Sequence, residues 1–150
     1  MKSYDTISGK EGISYVKING NNEELFCAKT VEAKIELNKS DVKCIGKRMT
    51  GSKATGMKGT GTMKIYYGFP IFSEVCSEYK KTGKALYFDM VVTNNDPASS
   101  FGKQTVLLKD CMMDGFTLAK LDGDSDDPLE EEIGFTFEDY DILEKFKNIN

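Results

Sequence analysis

What most constrains this chain is a period-two alternation of apolar and polar residues that returns in segment after segment. In VEAKIEL, Val31, Ala33, Ile35 and Leu37 fall on one side and Glu32, Lys34 and Glu36 on the other. Side chains of an extended strand point alternately to its two faces, so this pattern predicts a half-buried strand. EEIGFTFED repeats it, with Ile133, Phe135 and Phe137 against Gly134, Thr136 and Glu138. In ALYFDMVVT, Leu86, Phe88, Met90 and Val92 alternate with Tyr87, Asp89 and Thr93. ISYVKING, TMKIYYG, QTVLLKDC and GFTLAKL have the same β character. The first of these runs through Asn19-Gly20 into NGNNEE, whose Asn and Gly tolerate positive φ, and a hairpin is predicted there.

One segment changes period. In PIFSEVCSEYKKTG, Ile71, Phe72, Val75, Cys76 and Tyr79 recur at helical spacing, with Pro70 suited to the first turn and Gly83 to the stop. A helix packing on the sheet through those five residues is predicted. About seven strands and one helix in 150 residues predict a single mainly β domain over residues 1–150, a β-sandwich or barrel with one flanking α-helix.

The stretch KRMTGSKATGMKGTGT, residues 47–62, breaks the strand pattern with four glycines and four lysines or arginines. It resembles a phosphate-gripping loop, and fails the comparison. A P-loop needs GxxxxGK[ST] opening a helix, but Met57 follows Gly56 where the lysine belongs, Lys58 is followed by Gly59, and TMKIYY after it is strand. The prediction is a long inter-strand loop whose glycines permit close approach of a ligand or another chain.

Little else in the sequence offers chemistry. There is no histidine, the commonest general base and zinc ligand. Asp122, Asp124 and Asp126 match the first, third and fifth positions of an EF-hand loop, but Asp127 occupies the place of its glycine and Ile133 that of its last glutamate. Neither metal nor cofactor is therefore expected. Cys27, Cys44, Cys76 and Cys111 stand far apart with no CxxC pair and read as reduced core thiols. Twenty basic against 24 acidic residues disfavour a general polyanion binder. No segment approaches the ~18 apolar residues of a membrane span and the start shows no signal-peptide core, so synthesis as a soluble cytoplasmic chain is expected. Two readings from other classes stay open. One is an enzyme using a carboxylate pair drawn from Glu130, Glu131 and Glu132 with Asp139 or Asp141. The other is a monomeric β-barrel binding a ligand or nucleic acid, for which MKIYYGF and EYKKTGKALYF interleave basic and aromatic residues.

Taken together, DTISGKEG, NKSDVKCIGKR, KATGMKGTGTMKIYYG, YKKTGKALYFDMVVTNNDP, GKQTVLLKD and LAKLDGDSDDPLEEEIGFTFEDYDIL cover nearly the whole chain. In their order and extent they resemble the tail-tube proteins of contractile phages and defective prophages of the PBSX-like group, with the related diffocin-type bacteriocins. The resemblance implies a non-enzymatic structural subunit without cofactor, forming hexameric rings stacked into a hollow tube. Its implied partners are copies of itself, a surrounding sheath, and baseplate and tail-terminator proteins, in the tail of a released particle. DNA would be no more than transient cargo in a phage, and the acidic excess would keep the lumen from gripping it. On the same resemblance residues 47–62 are the loop by which a subunit reaches its neighbours, through Lys47, Arg48, Thr50, Gly51, Lys53, Thr55, Gly56, Met57, Lys58 and Gly59.

Overall fold

The computed structural model describes residues 2–10, 12–18, 21–24, 29–68, 70–85 and 87–147, without the side chains of 18, 21–24 and 71. Eight strands are described: β1 (Gly12–Ile18), β2 (Asn21–Glu24), β3 (Thr30–Val42), β4 (Gly51–Tyr66), β5 (Phe88–Asn95), β6 (Lys103–Met113), β7 (Glu130–Phe137) and β8 (Asp139–Glu144). One helix, α1 (Ile71–Thr82), lies between β4 and β5. Every strand pair is antiparallel, in the order β2-β1-β5-β6-β7-β4-β3, with β8 on β6. The mainly β architecture with a single helix matches the reading of the alternation. Residues 115–121, expected as a strand from GFTLAKL, form none. Glu131 takes the Thr117 N–H (3.3 Å) and the Tyr67 hydroxyl donates to the Leu118 carbonyl (3.1 Å), so side chains satisfy the backbone that a ladder would otherwise use.

Two halves of the sheet enclose the core, and β6 belongs to both. Its first part pairs with β5 and β8, while Met112 and Met113 pair with Thr136 and Phe135 of β7. The crossing is made at Asp110, where two residues of β6 oppose Asp89 and φ is +52°. A bulge with its extra residue in the left-handed region bends a strand sharply, and Asp is one of the few non-glycines that accepts that conformation. The Asp89 carboxylate receives the Asp110 N–H at 3.1 Å.

Between the halves lie Val16, Met63, Ile65, Phe88, Met90, Leu108, Cys111, Ile133, Phe135 and Phe137, capped by Phe72 and Val75 of α1. Phe72 meets Phe88 edge to face at 6.1 Å between ring centres, the geometry aromatic quadrupoles favour. The helix stops at Gly83, whose φ of +71° lets its N–H reach the Tyr79 carbonyl at 2.8 Å. Of the five residues expected on its packing face, Phe72 and Val75 are buried and Cys76 is half-buried, with Sγ 3.8 Å from Met113 Sδ. Tyr79 departs from the expectation: it is 57% exposed and lines an open groove beside Met112 and Met113. The Ile71 side chain lies outside those described.

The glycine-rich stretch is strand. Its alternation survives once glycines are counted as positions: Met57, Gly59, Gly61, Met63 and Ile65 share one face of β4, and Lys58, Thr60, Thr62 and Lys64 the other. Gly59 lies opposite Phe137 and Gly61 opposite Phe135. A Cβ at either glycine would strike the facing ring, and at Gly61 it would also come within 2.7 Å of the Glu32 carbonyl oxygen. The rings fill the volume that side chains on β4 would otherwise take.

Two outcomes follow. Gly61→Ala should destabilise the fold by about 1–3 kcal/mol, since a buried ring and a backbone carbonyl must both give way. Gly51→Ala, whose Cβ meets only the Val42 carbonyl oxygen at an ordinary 3.7 Å, should leave the urea midpoint unchanged or raised. Equal midpoints for the two variants would show that the rings do not need the glycine. The second concerns thiols. Cys111 is buried and its pKa is pushed up to about 12, chiefly by desolvation, whereas Cys44, expected in the core, is exposed in the turn after β3. A disulfide reagent at pH 8 should label Cys44 in the native isolated chain and reach Cys111 only on unfolding; native labelling of Cys111 would contradict this placement.

Candidate functional site

β3 pairs with β4 along its whole length, but β7 backs β4 only from Gly59 to Tyr66. Beyond that limit seven residue pairs, from Glu36–Lys58 to Val42–Gly51, continue as a two-stranded arm with no third strand. At ~3.3 Å per residue the arm projects about 23 Å before its turn. Every residue from 32 to 58 is exposed. The predicted loop is therefore corrected to a hairpin arm. Lys47, Arg48 and Thr50 lie in its turn, residues 43–50, and Gly51, Lys53, Thr55, Gly56, Met57, Lys58 and Gly59 lie in β4. Gly59 alone among them is buried, beneath the Phe137 ring.

The arm's geometry follows from a few residues. Thr55 is the extra residue of a bulge opposite Asn38 and Lys39, and its hydroxyl donates to the Asn38 carbonyl at 3.2 Å. In the turn, Gly46 has φ +82° and the Lys47 N–H reaches the Cys44 carbonyl at 3.2 Å. Leu37 pairs with Met57 on the face that also carries Ile35, and all three are exposed. Ile45 and Met49 at the tip are almost wholly uncovered. Alternation on β3 reads as half-buried in sequence, yet in the single chain neither face of its distal part is covered.

The half of the arm contributed by residues 36–42 escaped the sequence prediction, which looked only at the glycine-rich side. The sequence carries little signal for it: the alternation of VEAKIEL lapses after Leu37, and Asn38, Lys39, Ser40 and Asp41 are polar throughout and include turn-favouring types.

At the other end of β4 the carboxylates are occupied or dispersed. Glu130 Oε1 sits 2.6 Å from Lys29 Nζ, and this hydrogen bond holds the Glu130 carboxyl below its ordinary range while Glu130 raises the Lys29 ammonium. Asp141 pairs with Lys109 at 2.5 Å. Glu131 near the start of β7 and Asp139 at the start of β8 lie eight residues apart, about 26 Å in extended chain, far beyond the ~5–9.5 Å that a glycosidase-type pair spans. The carboxylates of the enzymatic reading do not converge. In the aspartate-rich loop, Asp122 Oδ1 accepts the Asp124 N–H at 3.1 Å. Among the described residues no three His, Cys, Asp or Glu side chains gather as metal ligands would, and no helix is long and apolar enough to cross a membrane.

An open apolar groove of about 380 Å³ runs where the two halves of the sheet part, between Val31 and Ile35 of β3 and Val106, Leu108, Tyr140 and Ile142 of β6 and β8. Its walls include two of the sheet's strand edges, β3 and β8. The features that stand out are thus an arm, a groove and free edges, surfaces suited to contact with other chains.

Comparison with known proteins agrees with that character. The sequence pattern described as phage tail tube protein matches residues 1–144. The chain is 42% identical over 148 residues to the phage-like element PBSX protein XkdM of Bacillus subtilis strain 168, covering 99% of this chain and 97% of that protein. In fold it is similar to a chain of the anti-feeding prophage baseplate, with a TM-score of 0.70 at 12% identity, covering 95% of this chain and 97% of the other. It is likewise similar to a chain of the sheath-tube complex of an extracellular contractile injection system in its extended state, with a TM-score of 0.66 at 12% identity over 92% and 91% of the two. The chain belongs to the phage tail tube protein family, in the branch that includes the PBSX element.

Proposed function

We propose that the chain is the repeating subunit of the inner tube of a contractile tail or phage-tail-like bacteriocin, with six copies to a ring and rings stacked into a conduit inside a sheath. On this reading it is made in the cytoplasm, works without catalysis or cofactor, and meets baseplate and terminator proteins at the ends of the tube. One observation carries the proposal: the arm of residues 36–58 extends from the body with both faces uncovered. A two-stranded hairpin alone in water is marginally stable at best, and its apolar Leu37, Met57, Ile45 and Met49 gain nothing from solvent. Neighbouring copies would supply the missing cover. Family membership and likeness to chains from contractile assemblies support the same reading.

Free edges point the same way. β3 offers a 13-residue edge and β8 a six-residue edge, and unpaired edges of this length invite uncontrolled pairing unless covered or closed in a ring. The groove between them widens the surface a neighbour would bury.

Replacing residues 37–57 by an Asn-Gly turn tests the arm directly. Since all the residues removed are exposed and outside the core, the shortened chain should keep its circular dichroism and melt within a few degrees of the parent. It should form no tubes in negative-stain micrographs under conditions where the parent does. Tubes of normal length and stability from the shortened chain would show that the arm is only a solvated hairpin.

A further inference from the structure

The arm ends far from the aspartate-rich loop, and the two are opposite in character. β4 runs 16 residues, about 50 Å, from Gly51 at the tip to Tyr66, which pairs with Glu130, the first residue of β7. The loop before β7 is held at that base: the Tyr67 N–H donates to the Leu129 carbonyl at 2.8 Å and its hydroxyl to the Leu118 carbonyl. Tip and loop of one chain cannot meet.

Between residues 39 and 53 there are four lysines and one arginine against one aspartate. Residues 118–127 hold four aspartates against one cation, Lys120, whose ammonium donates to the Glu130 carbonyl at 2.8 Å. Among the described residues the ion pairs are Lys29–Glu130, Lys103–Glu144 and Lys109–Asp141, none of which takes a cation of the tip or an aspartate of the loop. Each patch also carries uncovered apolar side chains: Ile45 and Met49 on the tip, and Leu118 and Leu121 beside the acids, 77% and 98% exposed. One end of the molecule is thus a cationic apolar knob, the other an anionic apolar seat.

We infer that the arm tip, through Lys43, Lys47, Arg48, Ile45 and Met49, seats on the loop of residues 118–127 in a second copy of this chain, in the next ring of the stack. The inference rests on the stacked-ring reading and adds to it the partner surface. A patch that complements a different patch at the opposite end makes a heterologous contact, which does not close on itself and repeats along an axis. Tip-to-tip contact would oppose like charges, so charge favours a head-to-tail arrangement over it. The apolar side chains supply burial once the charges have set the register.

Charge exchange tests it. The full chain would be prepared unmodified, with a reversed tip (Lys43→Glu, Lys47→Glu, Arg48→Glu), with a reversed loop (Asp122→Lys, Asp124→Lys, Asp126→Lys), and with both. Tube formation would be measured by sedimentation and negative stain. Each single reversal should raise the critical concentration for tubes about tenfold or more, and the doubly reversed chain should recover to within about threefold of the parent. All six positions are exposed, so circular dichroism should be unchanged. A single reversal that assembles like the parent, or a double reversal no better than the singles, overturns the pairing while leaving the ring reading intact. A parent chain that never forms rings or tubes overturns the ring reading itself and this inference with it. The salt response of the parent chain is a second measurement, free of any variant's folding. Its critical concentration should rise several-fold between about 0.1 and about 1 M salt as the screening length shrinks from ~10 to ~3 Å. A flat or falling response overturns the charge pairing.

Discussion

The rings of Phe135 and Phe137 lie over Gly61 and Gly59, and the rest of the molecule is arranged around that contact. The phenylalanines come from β7 and the glycines from β4, so large and absent side chains interlock across one strand pair. This fixes register, since a slip of one residue would turn each ring to the other face and bring a lysine or threonine of β4 beneath the core. It also permits β4 to be long. A strand whose inner face is filled from next door can run straight through the core and out of it, carrying β3 alongside as the arm. Gly59 marks the place where β7 ends and the arm begins.

A second constraint closes the body behind the arm. β6 must serve both halves of the sheet, and the Asp110 bulge turns it so that Met112 and Met113 reach β7 after Val91 and Met90 have paired with Leu107 and Leu108. Residues of both halves and of α1 then share one core around Phe72, Phe88 and Phe135. Because the core is sealed by this crossing, the arm is not needed for it, and the body can be stable whether or not the arm is covered. The two parts of the molecule are energetically separable for a reason visible in the strand order.

Much of this was legible in the sequence, and the misreadings have physical causes. The helix announced itself by spacing, by Pro70 and by Gly83, since those signals are local. β5 and β7 were legible because their buried residues are large. β4 was legible only from Thr62 onward; its glycine-rich part was not, because glycine was read as flexibility when here it is room for a ring on another strand, a fact that needs the pairing partner to be known. GFTLAKL has β propensity but no partner strand among the described residues, and propensity without a partner makes no strand. Tyr79 follows the helical period, but it lines an open groove beside Met112 and Met113 and stays out of the closed core. Cys44 was assigned to the core by type, while its place in the turn between two paired strands sets its exposure. β8 went unseen, all of its residues being exposed and its pairing with β6 depending on tertiary placement.

On the tube reading, function resides in what the single chain leaves unsatisfied. An enzyme concentrates its unusual groups in one cleft, where burial and charge shift their chemistry. Here the departures from an ordinary globular domain are spread over the surface: an uncovered arm, free strand edges, an apolar groove and a division of charge between opposite ends. Each is a modest liability alone. Lysines and glutamates alternate with the apolar residues along β3, so its edge carries charge on one face even where the other is apolar, a pattern that resists indiscriminate pairing. A contact that covers the apolar face and also matches the charges is then favoured over one that does either alone. That joint requirement selects a single orientation of neighbours from the many that hydrophobic association would allow. A tube needs this more than it needs tight binding between any two copies, because one orientation repeated without error is what keeps its bore continuous.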